Sequence, residues 1–530
     1  MAFSAAKVLS KPTFAASNLK LMSERKVRVR FAPSPTGPLH MGGVRTALYN
    51  YLFAKKMGGD FILRIEDTDQ TRYVPGAEEY IMEALAWCGV TLDEGPTQGG
   101  PYGPYRQSER KAMYRQYADQ LLASEHAYYA FDTPEELTEM RERLTKAKVA
   151  SPQYDAVSRQ TMKNSLTLSE DDVNARLAAG EPYVIRIKLP RKEEVRFHDI
   201  IRGWVVVQTA QMDDKVLFKS DGMPTYHLAN VVDDYLMKTT HVIRGEEWLP
   251  SAPLHVLLYR YLGWEDVMPQ FAHLPLILKP DGNGKLSKRD GDRLGFPVFP
   301  LNWLDSHSGE QSSGYRERGY FPEAFVNMLA MLGWNPGTSQ EIFSLEELVQ
   351  AFSLERVGKS GSKFDPEKAK WFNQHYLRER SDAELTTYFA ADLEKRGVKA
   401  DAEYVLKVCS LVKEKVQFIS QFWEFGFYFF QAPDVYDEKV IEKRWNSEAK
   451  AFFQTLTTDL EAMVAWNAPQ IEEQFKATAE KVGMNPGHVM QLFRVLVSGQ
   501  PGGPVLFDMM ELLGKDIVTE RLKTALVKLA

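Results

Sequence analysis

Residues 26–43 have the sequence KVRVRFAPSPTGPLHMGG, and the order of its parts decides the fold. The alternating, β-rich residues Lys26–Phe31 predict a strand. The prolines and the glycine of residues 32–37 predict a stiff turn after it. From Gly43 onward apolar residues recur at helical spacing, up to the Gly58-Gly59 pair that ends the helix. A strand that turns directly into a helix predicts the first half of a β-α-β unit.

The alternation of strand and helix continues beyond this first helix. Residues Phe61–Ile65 predict a second strand, and apolar residues spaced around Ile81 predict a second helix. This order predicts a parallel sheet with a right-handed crossover. From Tyr105 to Gln211 helices and short strands interrupt the pattern, which predicts an inserted α+β domain.

After the insertion the alternation resumes, and we expect it to continue the same sheet. Strands are predicted at residues 216–219 and 241–244, and helices at residues 226–237 and 254–262. Beyond Asp365 the sequence changes to amphipathic helices, such as Glu403–Trp423 and Val489–Val497. The predicted fold class is α/β: a Rossmann-like parallel-sheet domain split by an α+β insertion, followed by an all-helical C-terminal region.

Length and composition limit the class of protein. The chain has 530 residues, of which 44% are hydrophobic and 26% charged, as in an ordinary globular protein of several domains. No apolar run approaches the roughly 20 residues of a membrane-spanning helix. The two cysteines, Cys88 and Cys409, exclude a disulfide framework and a cysteine-cluster zinc site. A net charge of −6 excludes a uniformly basic surface but still allows local RNA-binding patches.

The N-terminal 24 residues differ from the rest of the chain. They contain Lys7, Lys11 and Lys20, and no acidic residue precedes Glu24, as in a transit peptide. However, no arginine precedes Arg25, and Met22 lies just before the first predicted strand. We therefore predict a disordered extension at residues 1–24. Three origins stay open: a native segment, a targeting peptide, and a start codon assigned upstream of the true one.

The first chemical motif lies where the first strand meets the first helix. His40 is followed by Gly42 and Gly43 at the helix N-terminus, where free N–H groups and the positive end of the helix favour an anion. The glycines allow a close approach of the backbone, and His40 adds a hydrogen bond to a phosphate oxygen. Taken alone, this motif is more often a tight turn with a surface histidine.

The second motif is Lys285-Leu286-Ser287-Lys288-Arg289, which follows the turn-forming residues 281–284. Two lysines in a mobile loop are able to close over a polyphosphate and stabilise departing pyrophosphate. Taken alone, the pentapeptide is more often a solvated basic loop. One motif follows the first strand and the other the last strand region, so we expect both at the carboxyl edge of one sheet.

These residues resemble the signatures of class I aminoacyl-tRNA synthetases. His40–Gly43 is similar to the family's HIGH signature, and Lys285–Arg289 is similar to its KMSKS loop. The longer strings FAPSPTGPLHMGGVRTAL, LRIEDTD and PTYHLANVVDD resemble the glutamyl branch, bacterial type, and the resemblance extends from Lys26 to the C-terminus. The departures from the signatures are Met41 for Ile, Gly43 for His, Leu286 for Met and Arg289 for Ser.

The resemblance implies two groups of binding residues. For glutamate it implies Arg30 and Arg244 on the side-chain carboxylate, Tyr226 and Asn230 along the pocket, and Glu66, Ala32 and Ser34 at the ammonium end. For ATP it implies His40, Gly42, Gly43, Trp248, Lys285, Ser287 and Lys288. Two alternatives stay open: structural ion pairs of the two arginines with Glu66, Asp67 or Glu246, and a core position for Trp248.

The resemblance also implies the reaction. The α-carboxylate of L-glutamate attacks the α-phosphorus of ATP, with His40, Lys285 and Lys288 as catalytic residues and Mg²⁺ on the phosphates. The glutamyl group then passes to the 2′-OH of the terminal adenosine of tRNA(Glu), and activation depends on bound tRNA. Bacterial relatives carry zinc-binding cysteines where this chain has Tyr128–Asp132, so we predict no zinc and no protein-bound metal.

The predicted domains follow the family. They are residues 25–104 and 212–275 for catalysis, 105–211 for the acceptor end, 276–364 for the KMSKS loop and stem contact, and 365–446 and 447–530 as two helical anticodon-binding domains. The family implies a monomer in the cytoplasm. The alternatives are an enzyme that also charges tRNA(Gln), a glutaminyl enzyme, the short glutamyl-queuosine paralogue and a non-catalytic RNA-binding relative.

Overall fold

A computed structural model describes residues 25–305 and 308–529. The disordered extension predicted at residues 1–24 lies outside the described residues. The described chain forms two compact units: one contains the residues up to Arg318 together with Phe325–Pro366, and the other contains Gly319–Ala324 together with the residues from Glu367 onward. None of the described helices is both long and apolar enough to cross a membrane.

The strands all lie in the first unit. They are β1 Arg28–Phe31, β2 Asp60–Leu63, β3 Ala127–Ala130, β4 Val184–Ile187, β5 Glu194–Asp199, β6 Gly203–Gln208, β7 Val216–Phe218, β8 His241–Gly245, β9 Gln270–Leu274, β10 Ile277–Leu278, β11 Trp303–Leu304, β12 Gln311–Ser312 and β13 Ser362–Lys363.

Helices occur throughout the described chain. The α-helices are α1 Met41–Lys56, α2 Ala77–Trp87, α3 Lys111–Ala123, α4 Pro134–Lys146, α5 Glu170–Ala178, α6 Tyr226–Leu236, α7 Ala252–Tyr261, α8 Lys288–Leu294, α9 Pro322–Met331, α10 Leu345–Ala351, α11 Pro366–Glu379, α12 Asp382–Lys395, α13 Ala402–Val412, α14 Gln421–Gly426, α15 Glu438–Arg444, α16 Ser447–Glu461, α17 Ala468–Lys481, α18 Pro486–Ser498, α19 Leu506–Leu513 and α20 Lys515–Lys528. Short 3-10 helices are Gln70–Arg72, Gln107–Arg110, Ser158–Thr161, Thr209–Gln211, Glu246–Ser251, Glu265–Val267, Leu354–Arg356, Lys413–Lys415 and Phe427–Phe429.

The first β-α-β unit forms as predicted. β1 and β2 pair in parallel, with Arg28 opposite Asp60, and α1 connects them. β8 and β9 form a second parallel pair. The N–H of Thr240 donates to the carbonyl of Arg28 at 2.8 Å, which places the start of β8 beside β1. The carboxyl ends of β1, β2 and β8 therefore lie at one edge, where ligands bind in folds of this kind.

Helix α1 packs its predicted apolar face against this sheet. Val44, Leu48 and Leu52 on that face are fully buried. The buried Asn50 donates from Nδ2 to the carbonyl of Ile243 in β8 at 3.0 Å. This bond fixes the helix, and with it the His40 motif at its N-terminus, relative to the strands.

The insertion contributes to the sheets differently from the prediction. Residues 216–219 are predicted to continue the parallel sheet, and this prediction is wrong. β7 instead pairs antiparallel with β4, in a three-stranded sheet of order β3-β4-β7. The hairpin β5–β6 instead extends the second parallel pair, with Asp199 opposite Phe271. Leu217 and Phe218 bury against the same core as Ile185. Alternation in the sequence identifies such a strand but does not select its partner.

The second unit consists of helices in its described part, as predicted. The continuous helix predicted at Glu403–Trp423 is wrong, because α13 ends at Val412 and α14 begins at Gln421. The side-chain oxygen of Gln421 accepts from the N–H of Gln417 at 2.7 Å and from that of Phe418 at 3.1 Å. These bonds satisfy backbone donors outside a helix, so the break is stable.

Candidate active site

A cavity of about 630 Å³ lies at the carboxyl edge of the sheet. His40, Gly42 and Gly43 line it from the start of α1, and Lys285 and Ser287 line it from the second motif. The two motifs are separated by about 240 residues in the chain, as the numbering of His40 and Lys285 shows. The structure thus brings both predicted phosphate-binding motifs to one cavity.

A second cavity of about 430 Å³ adjoins the first. Both are lined by Pro33, Ser34, Gly42, Gly43 and Glu247, so they form one continuous cleft. All the residues predicted to bind glutamate line the second cavity: Arg30, Ala32, Ser34, Glu66, Tyr226, Asn230 and Arg244.

His40 is the N-cap of α1, and this role fixes its tautomer. Its Nδ1 accepts from the N–H of Gly42 at 3.1 Å, so the ring proton is on Nε2. Nε2 is buried and has no hydrogen-bond partner among the described residues. Burial, together with the charge of Lys285, lowers the pKa of His40 to about 4, so the ring is a neutral donor at physiological pH. An added Cβ at Gly43 would lie 2.5 Å from Leu39 Cδ1, so a larger residue there would require the Leu39 side chain to move.

The two lysines of the second motif have different partners. Lys285 Nζ lies 3.1 Å from Glu247 Oε1, inside the first cavity. Ser287 caps α8 by a capping box with Asp290. Lys288 Nζ lies 2.9 Å from Glu310 Oε2, and Lys288 is not among the described residues that line the cavity. The structure therefore brings His40, Lys285 and Ser287 together but places the Lys288 ammonium on Glu310.

Arg30 belongs to a buried network of ion pairs. Its Nε and Nη2 donate to Oδ1 and Oδ2 of Asp234 at 2.9 and 3.1 Å. Arg64 donates to Asp234 Oδ1 and to Glu66 Oε1, each at 2.8 Å. Arg30 thus makes a structural ion pair, but with Asp234 and not with Glu66, Asp67 or Glu246, the partners that the alternative named. Asp234 compensates the charge of this buried guanidinium.

Arg244 is equally buried, at 5% exposure, yet none of its contacts is a carboxylate in the described part of the chain. Its Nε donates to His273 Nε2 at 3.0 Å, its Nη1 to the Tyr226 hydroxyl at 2.8 Å and its Nη2 to the Trp248 carbonyl at 3.3 Å. Burial lowers the pKa of Arg244, which expresses the cost of a cation without a paired anion. An ion pair of Arg244 with Glu66, Asp67 or Glu246 is therefore wrong as well.

Three of the five N–H donors of Arg244 are used by these contacts. The remaining two belong to Nη1 and Nη2, one each, and adjacent Nη donors are the pair that binds a carboxylate through both oxygens. Burial raises the pKa of Tyr226 to about 12, so its hydroxyl keeps its proton beside them. This arrangement favours an anion in the second cavity.

Glu66 contributes a carboxylate to the second cavity. Tyr226 and Asn230 lie one turn apart on α6 and both face the cavity. Asn230 Nδ2 donates to Glu66 Oε1 at 2.9 Å, the same oxygen that accepts from Arg64. Within residues 25–305 and 308–529, no donor to Oε2 of Glu66 is found, and this oxygen suits an ammonium group.

Trp248 lies against the second cavity. Its ring centroid is 4.6 Å from that of Tyr226, and its side chain is 42% exposed. The core position considered for Trp248 is therefore wrong. It lines the second cavity and is not among the described residues that line the first. Its contact with adenosine stays a prediction.

Sequence reasoning missed three residues of this site: Asp234, Glu247 and His273. Asp234 lies within the quoted string PTYHLANVVDD, and the signal was a pair of acidic residues on a helix that is otherwise buried. Glu247 precedes Trp248 in the chain and pairs with Lys285. His273 follows two apolar residues at the end of β9, and no local pattern singles it out.

A protein-bound metal was not expected here. Within residues 25–305 and 308–529, no group of three or more His, Cys, Asp or Glu side chains is arranged to hold a metal ion. In the segment Tyr128–Asp132, the Tyr128 hydroxyl donates to Asp214 Oδ2 at 2.7 Å.

The fold and the cleft define a class I tRNA synthetase. A family model described as "tRNA synthetases class I (E and Q), catalytic domain" matches residues 26–371, and one described as "Anticodon binding domain" matches residues 381–526. Within this class the chain belongs to the glutamate–tRNA ligase family, an enzyme family, as its similarity to curated proteins and solved structures shows.

The similarity extends over nearly the whole chain. The glutamate–tRNA ligase of Cytophaga hutchinsonii is 58% identical over 509 residues, covering 96% of this chain and 98% of that protein. That of Amoebophilus asiaticus is 58% identical over 503 residues, covering 95% and 98%. The crystal structure of a glutamate tRNA ligase from Elizabethkingia meningosepticum, in complex with its amino acid, is 52% identical with a TM-score of 0.89, covering 96% of this chain and 100% of that one.

Proposed function

We propose that the chain activates L-glutamate with ATP and transfers it to the 3′-terminal adenosine of tRNA(Glu), releasing AMP and pyrophosphate. The observation that carries this proposal is the buried guanidinium of Arg244, which has two unused N–H donors and no carboxylate partner among the described residues. A glutamate side chain supplies the absent carboxylate. A glutamine amide carries no charge and offers only one acceptor oxygen, so it binds less well.

The second cavity accommodates the rest of the amino acid. The ammonium group lies toward Glu66, whose Oε2 is left for a donor, with Ala32 and Ser34 nearby on the loop after β1. Arg30 contributes its positive charge through the network with Asp234 rather than as a free donor. The α-carboxylate is then directed toward the shared part of the cleft.

The first cavity accommodates ATP, which enters as its Mg²⁺ complex. His40 donates from Nε2 to a phosphate oxygen, and Gly42 and Gly43 bring the start of α1 close to the same group. Lys285 exchanges Glu247 for the phosphates, and Ser287 lies beside it. Lys288 leaves Glu310 when the loop closes over the nucleotide.

The chemical step follows from this placement. An oxygen of the glutamate α-carboxylate forms a bond to the α-phosphorus, while the bond from that phosphorus to the bridging oxygen of pyrophosphate breaks. The attacking carboxylate is already an anion, so no general base is required. The protein contributes position and stabilisation of negative charge, through neutral His40 and the ammonium groups of Lys285 and Lys288.

Several further features belong to the same proposal. The insertion at residues 105–211 holds the acceptor end, residues 276–364 contact the stem, and the helical domains at 365–446 and 447–530 read the anticodon. We propose a monomer without zinc, acting in the cytoplasm. The two free, buried cysteines, Cys88 and Cys409, are compatible with a reducing compartment.

ATP–pyrophosphate exchange, with glutamate or glutamine and with or without tRNA(Glu), tests this proposal. We expect glutamate-dependent exchange that requires tRNA, with glutamine at least about a hundredfold less effective. Absence of glutamate-dependent exchange with active tRNA would refute it. Charging of purified tRNA(Glu) and tRNA(Gln) side by side then shows whether the enzyme uses both.

A further inference from the structure

Arg244 is connected to two fully buried residues that take no part in the proposed chemistry. Its Nε donates to Nε2 of His273 at 3.0 Å, and Nδ1 of His273 lies 2.6 Å from Oδ2 of Asp199. His273 and Asp199 are both 0% exposed. We propose that Asp199 and His273 are positioning residues that hold the Arg244 guanidinium for the side-chain carboxylate of glutamate, and thereby set specificity for glutamate over glutamine. This inference rests on the proposed role of Arg244.

The tautomer of His273 follows from its two neighbours. Arginine Nε has only a hydrogen to donate, so His273 Nε2 accepts. The ring proton is therefore on Nδ1, where it is donated to Asp199 Oδ2. With the proton on the other nitrogen, two N–H groups would face each other and Arg244 would lose this partner.

Asp199 is itself held by backbone groups. Its Oδ1 accepts from the N–H of Ile201 at 2.9 Å and of Arg202 at 2.8 Å, and its Oδ2 accepts from the N–H of His273 at 3.1 Å. These bonds fix the carboxylate at the last residue of β5, so its orientation does not depend on the ligand. The insertion's hairpin is thereby tied to the amino-acid pocket.

His273 stays neutral in these surroundings. The charged or titratable groups that act on it are Asp199, Arg202 and Arg244, and Arg202 Nε also donates to the His273 carbonyl at 3.1 Å. Burial, with the positive charge of Arg244, lowers the pKa of His273 although Asp199 acts in the opposite direction. A neutral ring is what an acceptor for Arg244 requires.

The three anchors of Arg244 come from three different elements. His273 lies on β9, Tyr226 on α6, and the Trp248 carbonyl in the 3-10 helix after β8. Three contacts from separate elements hold one guanidinium and restrain its rotation. One N–H on each of Nη1 and Nη2 is then left for a two-point contact with a carboxylate. Loss of the His273 acceptor would leave a buried N–H unpaired and release this rotation.

His273→Leu tests the acceptor with little change in volume. In tRNA-dependent ATP–pyrophosphate exchange we expect the KM for glutamate to rise at least about tenfold and discrimination against glutamine to fall by a similar factor. The KM for ATP should stay within about twofold. His273→Gln, whose side-chain oxygen reaches the position of Nε2, should keep the KM for glutamate within about threefold of the wild type.

Asp199→Asn tests the tautomer of His273, and it replaces His273→Leu as the test of positioning if that variant does not fold. Its amide nitrogen would face Nδ1 of His273 and move the ring proton to Nε2, against Arg244. We expect the same rise in the KM for glutamate, and a matching change from an Nδ1–H to an Nε2–H signal in spectra of protein labelled with ¹⁵N-histidine. An unchanged tautomer or an unchanged KM in the folded Asp199→Asn variant would overturn the inference.

Arg244→Ala separates this inference from the proposed function. If Arg244→Ala leaves the glutamate kinetics unchanged, the role of Arg244 itself fails. If Arg244→Ala is defective and folded His273→Leu is not, only the positioning role fails. In the Arg244→Ala background, His273→Leu should add less than about a twofold effect, because His273 acts through Arg244. Fully additive effects would overturn the positioning role.

Discussion

Arg30, which lines the second cavity, and Asp234 form a two-point ion pair with Nε–Oδ1 and Nη2–Oδ2 distances of 2.9 and 3.1 Å. Asp234 also accepts from Arg64, so one buried carboxylate is shared by two guanidinium groups. Arg244 on β8 takes no part in this sharing. The three guanidinium groups of Arg30, Arg64 and Arg244 therefore outnumber the two carboxylates of Asp234 and Glu66, which favours an anion in the second cavity.

Asp234→Asn should destabilise the enzyme strongly, because two buried guanidinium groups lose their common carboxylate. We expect a loss of about 3–5 kcal/mol, measured as a lowered thermal unfolding midpoint and denaturant midpoint. Asp119→Asn is the matched control, since Asp119 pairs with Arg115 at the surface and should change stability by less than about 0.5 kcal/mol. Equal midpoints for the two variants would show that the buried network contributes nothing.

His40 combines two roles that substitution can separate. In His40→Asn the side-chain oxygen can still accept from the N–H of Gly42, but the Nε2–H donor is lost. We expect the rate of ATP–pyrophosphate exchange to fall about a hundredfold with stability nearly unchanged. His40→Ala should show a similar fall in the exchange rate. In addition, its free energy of unfolding should be about 1 kcal/mol lower, because the helix cap is missing. A wild-type exchange rate in His40→Asn contradicts the role of Nε2.

The proposed role of Lys288 requires its ammonium to leave Glu310. Lys288→Ala should lower the kcat of tRNA-dependent exchange at least about tenfold while the KM for glutamate stays within about twofold. Glu310→Gln removes the resting partner only, so its kcat should be no lower than that of the wild type. If Lys288→Ala turned over at the wild-type rate, the loop would have a different function.

The pKa of His40 gives a pH dependence with a defined sign. Burial lowers it from 6.5 to about 4, so the unfolded state binds a proton more readily than the folded state. The stability that neutral His40 contributes is fully present above pH 6.5, the pKa of the ring in the unfolded state. It is lost as the pH decreases from 6.5 toward 4. We expect the free energy of opening of α1 to be up to about 2 kcal/mol lower at about pH 5 than at about pH 7.5.

Hydrogen exchange of peptides from Met41–Lys56, corrected for the intrinsic pH effect, measures this opening. His40→Asn lacks the titrating ring and should show a correspondingly smaller difference between the two pH values. Burial also lowers the pKa values of His227 and His241 to about 4, and His241 contacts Phe53 of α1. Both rings remain in the wild type and in His40→Asn, so their contribution cancels in the comparison. The same pH difference in the wild type and in His40→Asn would contradict the assignment.

Much of this architecture was predictable because the deciding signals are local. The strand, turn and helix of residues 26–56 follow from alternation, proline and glycine positions, and helical spacing. The meeting of His40 with Lys285 follows from a topological rule, since both motifs come after strands of a parallel sheet. The position of Tyr226 and Asn230 on the same face of one helix follows from the helical period.

The remaining features depend on contacts between distant parts of the chain. Nothing near Arg30 identifies Asp234, 204 residues away, rather than Glu66 as its partner. The sequence identifies β7 as a strand, but not the strand it pairs with. Its partner is β4, which shares an apolar core with it. His273 carries no motif at all, and only the observed bonds to Arg244 and Asp199 single it out.

The most direct test of the central claim is the ratio of kcat/KM for glutamate to that for glutamine in the wild type, Arg244→Ala and Arg244→Lys. We predict that both variants lose at least about a hundredfold of this ratio, because lysine keeps the charge but not the two-point contact. Arg260→Ala, which removes a surface arginine paired with Glu193, should leave the ratio unchanged. An unchanged ratio in folded Arg244→Ala would show that the buried guanidinium is structural and would contradict the account.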